Sequence, residues 1–162
     1  MTRRPVVYLL CGLTGSGKTT YAKTLEHQGV IRLSVDEEVY ARHGHYGVDY
    51  PEDHYFALEA PVIEDVLARL IELVNDGRDV IFDHGLWRRT DRDAYKNLVE
   101  THGAAWRLLY FPVDLDLLIQ RLHERNQRAD ANALTVTTDA LNDFYDRFEE
   151  PHNEGEEIIP ST

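Results

Sequence analysis

The sequence predicts an α/β domain in which a parallel sheet is covered by helices on both faces. Three observations carry that reading. Short apolar runs alternate with segments of helical periodicity along the whole chain. The first run, Val6-Val7-Tyr8-Leu9-Leu10, is continuously apolar, as a strand buried on both faces must be. A glycine-rich turn then joins this run directly to a helix, and such a strand–turn–helix unit belongs to parallel sheets.

The elements follow in order. Val6 to Leu10 is the first strand, and Lys18 to His27 reads as a helix with Tyr21, Ala22 and Leu25 on one face and Gly29 beyond its end. Val30 to Ser34 is a second strand ending at Val35-Asp36, followed by a helical turn or short helix from Glu37 to His43 and a glycine-bearing loop to Asp49. Pro51 to Asn75 is a long helix: proline suits its first turn, and Phe56, Ala60, Ile63, Leu67, Leu70 and Val74 recur at helical spacing. Asn75-Asp76-Gly77 stops it. A third strand runs from Asp79 to Asp83, a helix from Thr90 to Thr101, and a fourth strand from Trp106 to Phe111. Asp114 is placed to cap a helix ending near Arg125, and Ala129 to Val136 reads as a loop. Thr137 or Thr138 caps a further helix to Phe148, and Glu157-Ile158-Ile159 is a candidate fifth strand at the sheet edge.

At 162 residues the chain is expected to form one domain, 1–162, with no linker, repeat or low-complexity tract to divide it. It has no apolar run of membrane-spanning length, and its short apolar start reads as a strand, not a signal peptide. A single cysteine, Cys11, fits a reducing cytoplasm. The net charge of −12 argues against a surface that tracks a polyanion, although a local basic pocket remains compatible with it. The arginines gather in two clusters, Arg88, Arg89 and Arg92, and Arg121, Arg125 and Arg128.

The residues with chemical potential lie where strands end or in the segments that leave them, which is the edge where open parallel sheets bind ligands. Gly12-Leu13-Thr14-Gly15-Ser16-Gly17-Lys18-Thr19 fits G-x-x-x-x-G-K-[ST] and continues to Thr20. Glycines let successive amides turn inward around phosphate oxygens, and the helix that follows points its positive end at the same anion. Lys18 can reach β- and γ-phosphates, and the Thr19 hydroxyl can ligate Mg²⁺. A nucleoside triphosphate is therefore the expected ligand. The Asn-Lys-x-Asp pattern that reads guanine is absent, which favours ATP.

Asp36, after the second strand, could take a proton from an attacking hydroxyl, hold Mg²⁺ through water, or simply cap a helix. Asp83 ends Val80-Ile81-Phe82, a hydrophobic strand followed by an acid, and could serve Mg²⁺ or a substrate hydroxyl. Beyond it, Arg88 or Arg89 could reach phosphate or acceptor. Arg121 and Arg125 share a helical face, and with Arg128 they suit a lid, around 121–136, that closes over the nucleotide and stabilises charge on a transferring phosphoryl group. The aromatic segment from His43 to Phe56 could cap a small organic acceptor.

Gly12–Thr20, Leu33–Glu37, Val80–Arg89 and Arg121–Arg128 together make the chain resemble the P-loop kinases that include polynucleotide 5′-hydroxyl kinases, chloramphenicol phosphotransferase and zeta-toxin-like kinases. The resemblance implies the three-layer fold of nucleoside-monophosphate kinases, with strand order 2-3-1-4-5. It also implies ATP and Mg²⁺ as cofactors, Asp36 as the base toward the acceptor hydroxyl, and Lys18 and Thr19 on the phosphates and metal. Asp83 with Arg88 or Arg89 would lie at the acceptor, Arg125 would be the foremost lid arginine, and Phe148–Gly155 would lie on the adenine side. The expected activity is transfer of a γ-phosphate to a hydroxyl of a small molecule. The alternatives are a polynucleotide 5′-hydroxyl kinase and a regulatory ATPase without an organic acceptor.

Overall fold

The computed structural model describes residues 3–13, 16–44, 47–125 and 138–160. Its framework is a five-stranded parallel sheet in the order β2-β3-β1-β4-β5. The strands are β1 (Val6–Cys11), β2 (Ile31–Ser34), β3 (Val80–Asp83), β4 (Ala105–Tyr110) and β5 (Glu156–Ile158). The helices are α1 (Lys18–Glu26), α2 (Val35–His43), α3 (Tyr55–Asn75), α4 (Arg89–Thr101), α5 (Leu115–Arg125) and α6 (Thr138–Arg147). Both the predicted fold class and the strand order are those observed.

β1 is the central strand, pairing with β3 on one side and β4 on the other. Its side chains alternate between two cores, as the period of two requires. Val7, Leu9 and Cys11 face a large core with Val35, Val39, Val62, Val66, Leu70 and Phe82, supplied by α2, α3 and β3. Leu10 faces the second core, where Ala22 and Leu25 of α1 meet Ile81, Leu109 and Phe111. A third cluster, Leu13 and Leu118 with Trp87, Val113 and Phe148 packed against them, lies where the phosphate loop leaves β1. Burial of this kind contributes roughly 25 cal/mol for each Å² of apolar surface.

Three details differ from the expectation. Ser34, not Asp36, caps α2: its hydroxyl accepts from the Glu37 amide at 3.2 Å. Val35 and Asp36 therefore belong to the first helical turn and not to the strand. A single 3-10 turn, Glu52–His54, stands where the long helix was expected to begin, and α3 starts at Tyr55. The buried face of α3 is Val62, Val66, Leu70, Leu73 and Val74, whereas Phe56 is 61% exposed. This helix is apolar around much of its circumference, so periodicity alone did not fix which face meets the sheet. At the other end the expectations hold: Asp114 Oδ1 accepts from the Leu117 amide at 2.9 Å at the start of α5, and β5 pairs with β4 as an edge strand. The loop read at 129–136 and Thr137 lie outside the described residues.

Candidate active site

The phosphate loop is held in place from three sides. The Gly12 amide donates to the Gly85 carbonyl at 3.1 Å, which ties the loop to the exit of β3. A Cβ on Gly12 would sit 2.7 Å from Ser16 Oγ and 3.3 Å from the Phe111 carbonyl oxygen, so the approach excludes any side chain. Gly17 has φ of +100° and precedes α1 without a side-chain cap. The first turn of α1 contains no acidic residue, leaving its positive end unneutralised. Ser16 Oγ is buried yet lacks a hydrogen-bond partner among the described residues. A buried hydroxyl without a partner is costly, and an anion seated on the helix end would satisfy it. The loop thus fits a phosphate group on its own geometry. Lys18 and Thr19 are half-buried at this helix start and Thr20 is exposed; Thr14 and Gly15 lie outside the described residues.

Several titratable side chains lie beyond the loop. His84, just after β3, stands close enough to Lys18, Asp36 and Asp83 for their charges to act on it. Burial pushes the His84 imidazole below its ordinary range. Lys18 reinforces that shift, while Asp36, Asp83 and Asp91 oppose it, and the ring is neutral at pH 7. Asp83 is 6% exposed and bound to Arg32, whose Nε and Nη2 donate to Asp83 Oδ2 at 3.0 and 2.7 Å. The same guanidinium pairs with Glu37 at 2.9 Å. Asp36 Oδ1 accepts from the Tyr55 hydroxyl at 2.5 Å. Tyr55 also hydrogen-bonds Glu59, one turn further along α3. Burial, together with the charge on Asp36, raises the Glu59 carboxyl to about 7. Tyr50 stacks on Tyr55 with ring centroids 6.5 Å apart.

The sequence reading singled out Lys18, Asp36 and Asp83, which the fold brings together around His84. It named Tyr55 only within the aromatic segment from His43 to Phe56, and it gave Arg32, Glu59 and His84 no role. The signal for Tyr55 and Glu59 was their spacing of four on a helix. For Arg32 the signal was hidden because its buried partner, Asp83, lies 51 residues away, and no motif marks His84.

The arginines after β3 divide by burial. Arg88 and Arg89 are exposed at the start of α4, where the Arg89 amide donates to Glu149 at 3.4 Å and its guanidinium stands 3.8 Å from Asp93. Arg92 is fully buried: Nε and Nη2 bind the two oxygens of Glu154 at 2.8 and 3.0 Å, and Nη1 donates to the Leu86 carbonyl at 2.8 Å. Burial opposes charge on Glu154, but the hydrogen bonds and charge of Arg92 outweigh it and hold the carboxyl below its usual range. Leu86, in the left-handed region at φ 53°, also accepts from the Cys11 thiol at 3.5 Å. Burial pushes that thiol up to about 11, against the charges of Arg92 and Lys18, so it is protonated and unreactive. Arg121 is half-buried on α5; the Arg125 side chain and all of Arg128 lie outside the described residues.

This is the architecture of a P-loop protein, with the nucleotide-side loop and a carboxylate at adjacent strand ends. The AAA domain family model matches residues 7–151, and the chain belongs to that family. A comparison with curated proteins found no match. Among solved structures, a Chloroflexus aurantiacus protein superposes with TM-score 0.78 at 16% identity, over 99% of this chain and 86% of its own. A gluconokinase from Sinorhizobium meliloti gives 0.65 at 18% identity, over 98% and 84%. A chain of the Pnkp1/Rnl/Hen1 RNA repair complex gives 0.71 at 19% identity, over 91% of this chain but 45% of that one. The present chain thus spans less than half of that relative. Among the described residues, no helix is long and apolar enough to cross a membrane.

Proposed function

We propose that the protein is an ATP-dependent phosphotransferase that moves the γ-phosphate to a hydroxyl of a small organic acceptor. The observation that carries the proposal is the adjacency of the strand ends: Asp83 pairs with both Leu10 and Ser34, so the phosphate loop and the helix bearing Asp36 leave the sheet at one edge. The loop from Gly12 through Ser16 to Thr20, with Thr14 and Gly15, would hold the phosphates. Lys18 would neutralise the β- and γ-phosphates, and the Thr19 hydroxyl would hold Mg²⁺. The metal, when bound, offsets negative charge on those phosphates. Asp83 already neutralises Arg32, so we assign it to the water shell of the metal and not to direct ligation. Asp36 would orient the acceptor hydroxyl and take its proton. Arg121, Arg125 and Arg128 would close over the nucleotide and exclude water, and Arg88 or Arg89 would reach the acceptor. Most of the acceleration would come from positioning and fixed charge.

Kinases among the fold neighbours support the reaction class, and the gluconokinase supports a small acceptor. The likeness to the RNA repair chain favours a second reading, a polynucleotide 5′-hydroxyl kinase. The net charge of −12 weighs against it. The deciding experiment is a screen of hydroxyl compounds with Mg·ATP, read by product mass, that includes sugars, nucleosides and a 5′-hydroxyl oligonucleotide. A mass gain of one phosphoryl group on a small compound is expected. Hydrolysis of ATP with no labelled organic product would instead leave a regulatory ATPase.

A further inference from the structure

Tyr55 bridges two carboxyl groups that differ in their surroundings. Its hydroxyl donates to Asp36 Oδ1 at 2.5 Å and also hydrogen-bonds Glu59. A phenol has one proton to donate and lone pairs to accept with, so it can take a proton from one carboxyl while giving its own to the other. We propose that Tyr55 and Glu59 form a proton exit behind Asp36: the proton taken from the acceptor hydroxyl passes to the Tyr55 oxygen as the Tyr55 proton passes to Glu59. The inference rests on the phosphotransferase reading above.

The step balances. A bond forms between the acceptor oxygen and the γ-phosphorus, and the bond from that phosphorus to the β–γ bridging oxygen breaks. Asp36 returns to a carboxylate, Tyr55 stays neutral, and Glu59 becomes a neutral acid that later loses its proton to water. The surroundings suit each part. Burial, followed by the charges of Asp36 and Glu59, keeps the Tyr55 phenol well above its ordinary range, so it relays a proton without ionising. Glu59, raised to about 7, binds a proton more firmly than an ordinary carboxylate. The groups acting on it are Asp36 from α2 and Tyr55 from its own helix; it in turn acts on Tyr95 of α4, and none of these is a cation. With Glu59 protonated, Tyr55 is committed to donating to Asp36, and that hydrogen bond occupies Oδ1. With Glu59 ionised, Tyr55 can turn toward it and release Asp36.

The test compares wild type with Glu59→Gln, Glu59→Asp and Tyr55→Phe, using Mg·ATP hydrolysis with water as acceptor and transfer to any compound the screen identifies. Circular dichroism checks that each variant folds. In wild type the rate should climb through the region around pH 7. Glu59→Gln and Tyr55→Phe should flatten that rise and lower kcat about tenfold at pH 8, with KM for ATP little changed, and Glu59→Asp should restore the slope. Carboxyl ¹³C NMR supplies a readout without turnover: the Glu59 midpoint should fall in Asp36→Asn and rise in Tyr55→Phe. A wild-type pH profile in both Glu59→Gln and Tyr55→Phe overturns the proposal, as does an ordinary carboxylate midpoint for Glu59. Absence of ATP turnover in the wild type sinks the phosphotransferase reading instead, and the NMR midpoints still decide whether Glu59 is linked to Asp36.

Discussion

Lys18 opens α1 directly after the phosphate loop, half-buried, and its charge reaches His84. Lys18→Ala should therefore abolish measurable Mg·ATP binding by calorimetry while the far-ultraviolet circular dichroism spectrum stays that of the wild type. Asp36→Asn should lower phosphoryl transfer by about 10²–10⁴ with ATP affinity nearly unchanged, because a general base acts on the acceptor and not on nucleotide binding. Glu59 yields a prediction about stability. Its carboxyl is raised from an ordinary value near 4.5 to about 7, so the folded chain holds a proton that the unfolded chain has released. Stability is lost as pH climbs through that window, by on the order of 3 kcal/mol, and stays lost above it. Glu59→Gln should have nearly the wild-type Tm at pH 5 and a higher Tm at pH 8. Of these three residues, Lys18 was legible from motif spacing and Asp36 from its place at a strand end. Glu59 was not, because its importance comes from burial beside Asp36, 23 positions away in the numbering of the sequence.

The elements show the same division between local and distant information. β1, the loop and α1 were readable in order because an apolar run, a glycine pattern and helical periodicity are all local signals. The boundary at β2 was misjudged because Ser34 caps α2 earlier than a strand ending at Asp36 allows. The Arg92–Glu154 pair was invisible, since it joins α4 to a segment 62 residues later. That pair locks the β3–α4 turn, the start of the phosphate loop and the entry to β5 into one unit through Leu86 and Cys11. Removing one partner leaves the other charged and buried, so Arg92→Ala should destabilise the fold by about 3–5 kcal/mol in urea unfolding. Replacing both, as Arg92→Met with Glu154→Leu, should recover much of that loss, because the paired charges no longer need each other.

At the scale of the whole molecule, the strand order places the ends of β2, β3 and β1 side by side, and the three leading site residues follow from that adjacency. The alternation of apolar runs with helical segments anticipated the class of fold, and composition set the net charge at −12. A net charge of −12 should repel the phosphodiester backbone, so fluorescence anisotropy at physiological ionic strength should show no saturable binding of a random-sequence oligonucleotide. Saturable binding that weakens steeply with salt would restore the polynucleotide reading.

The contact between Arg92 and Glu154 also bears on how the chain is made. Synthesis proceeds from the amino end, and Arg92 leaves the ribosome well before its counter-ion does. Until then a guanidinium destined for the interior has no anion to meet, so the nascent nucleotide loop cannot be locked down early. A chain interrupted between Arg92 and Glu154 would bury that cation without its partner, so it should fold less stably than one that carries both.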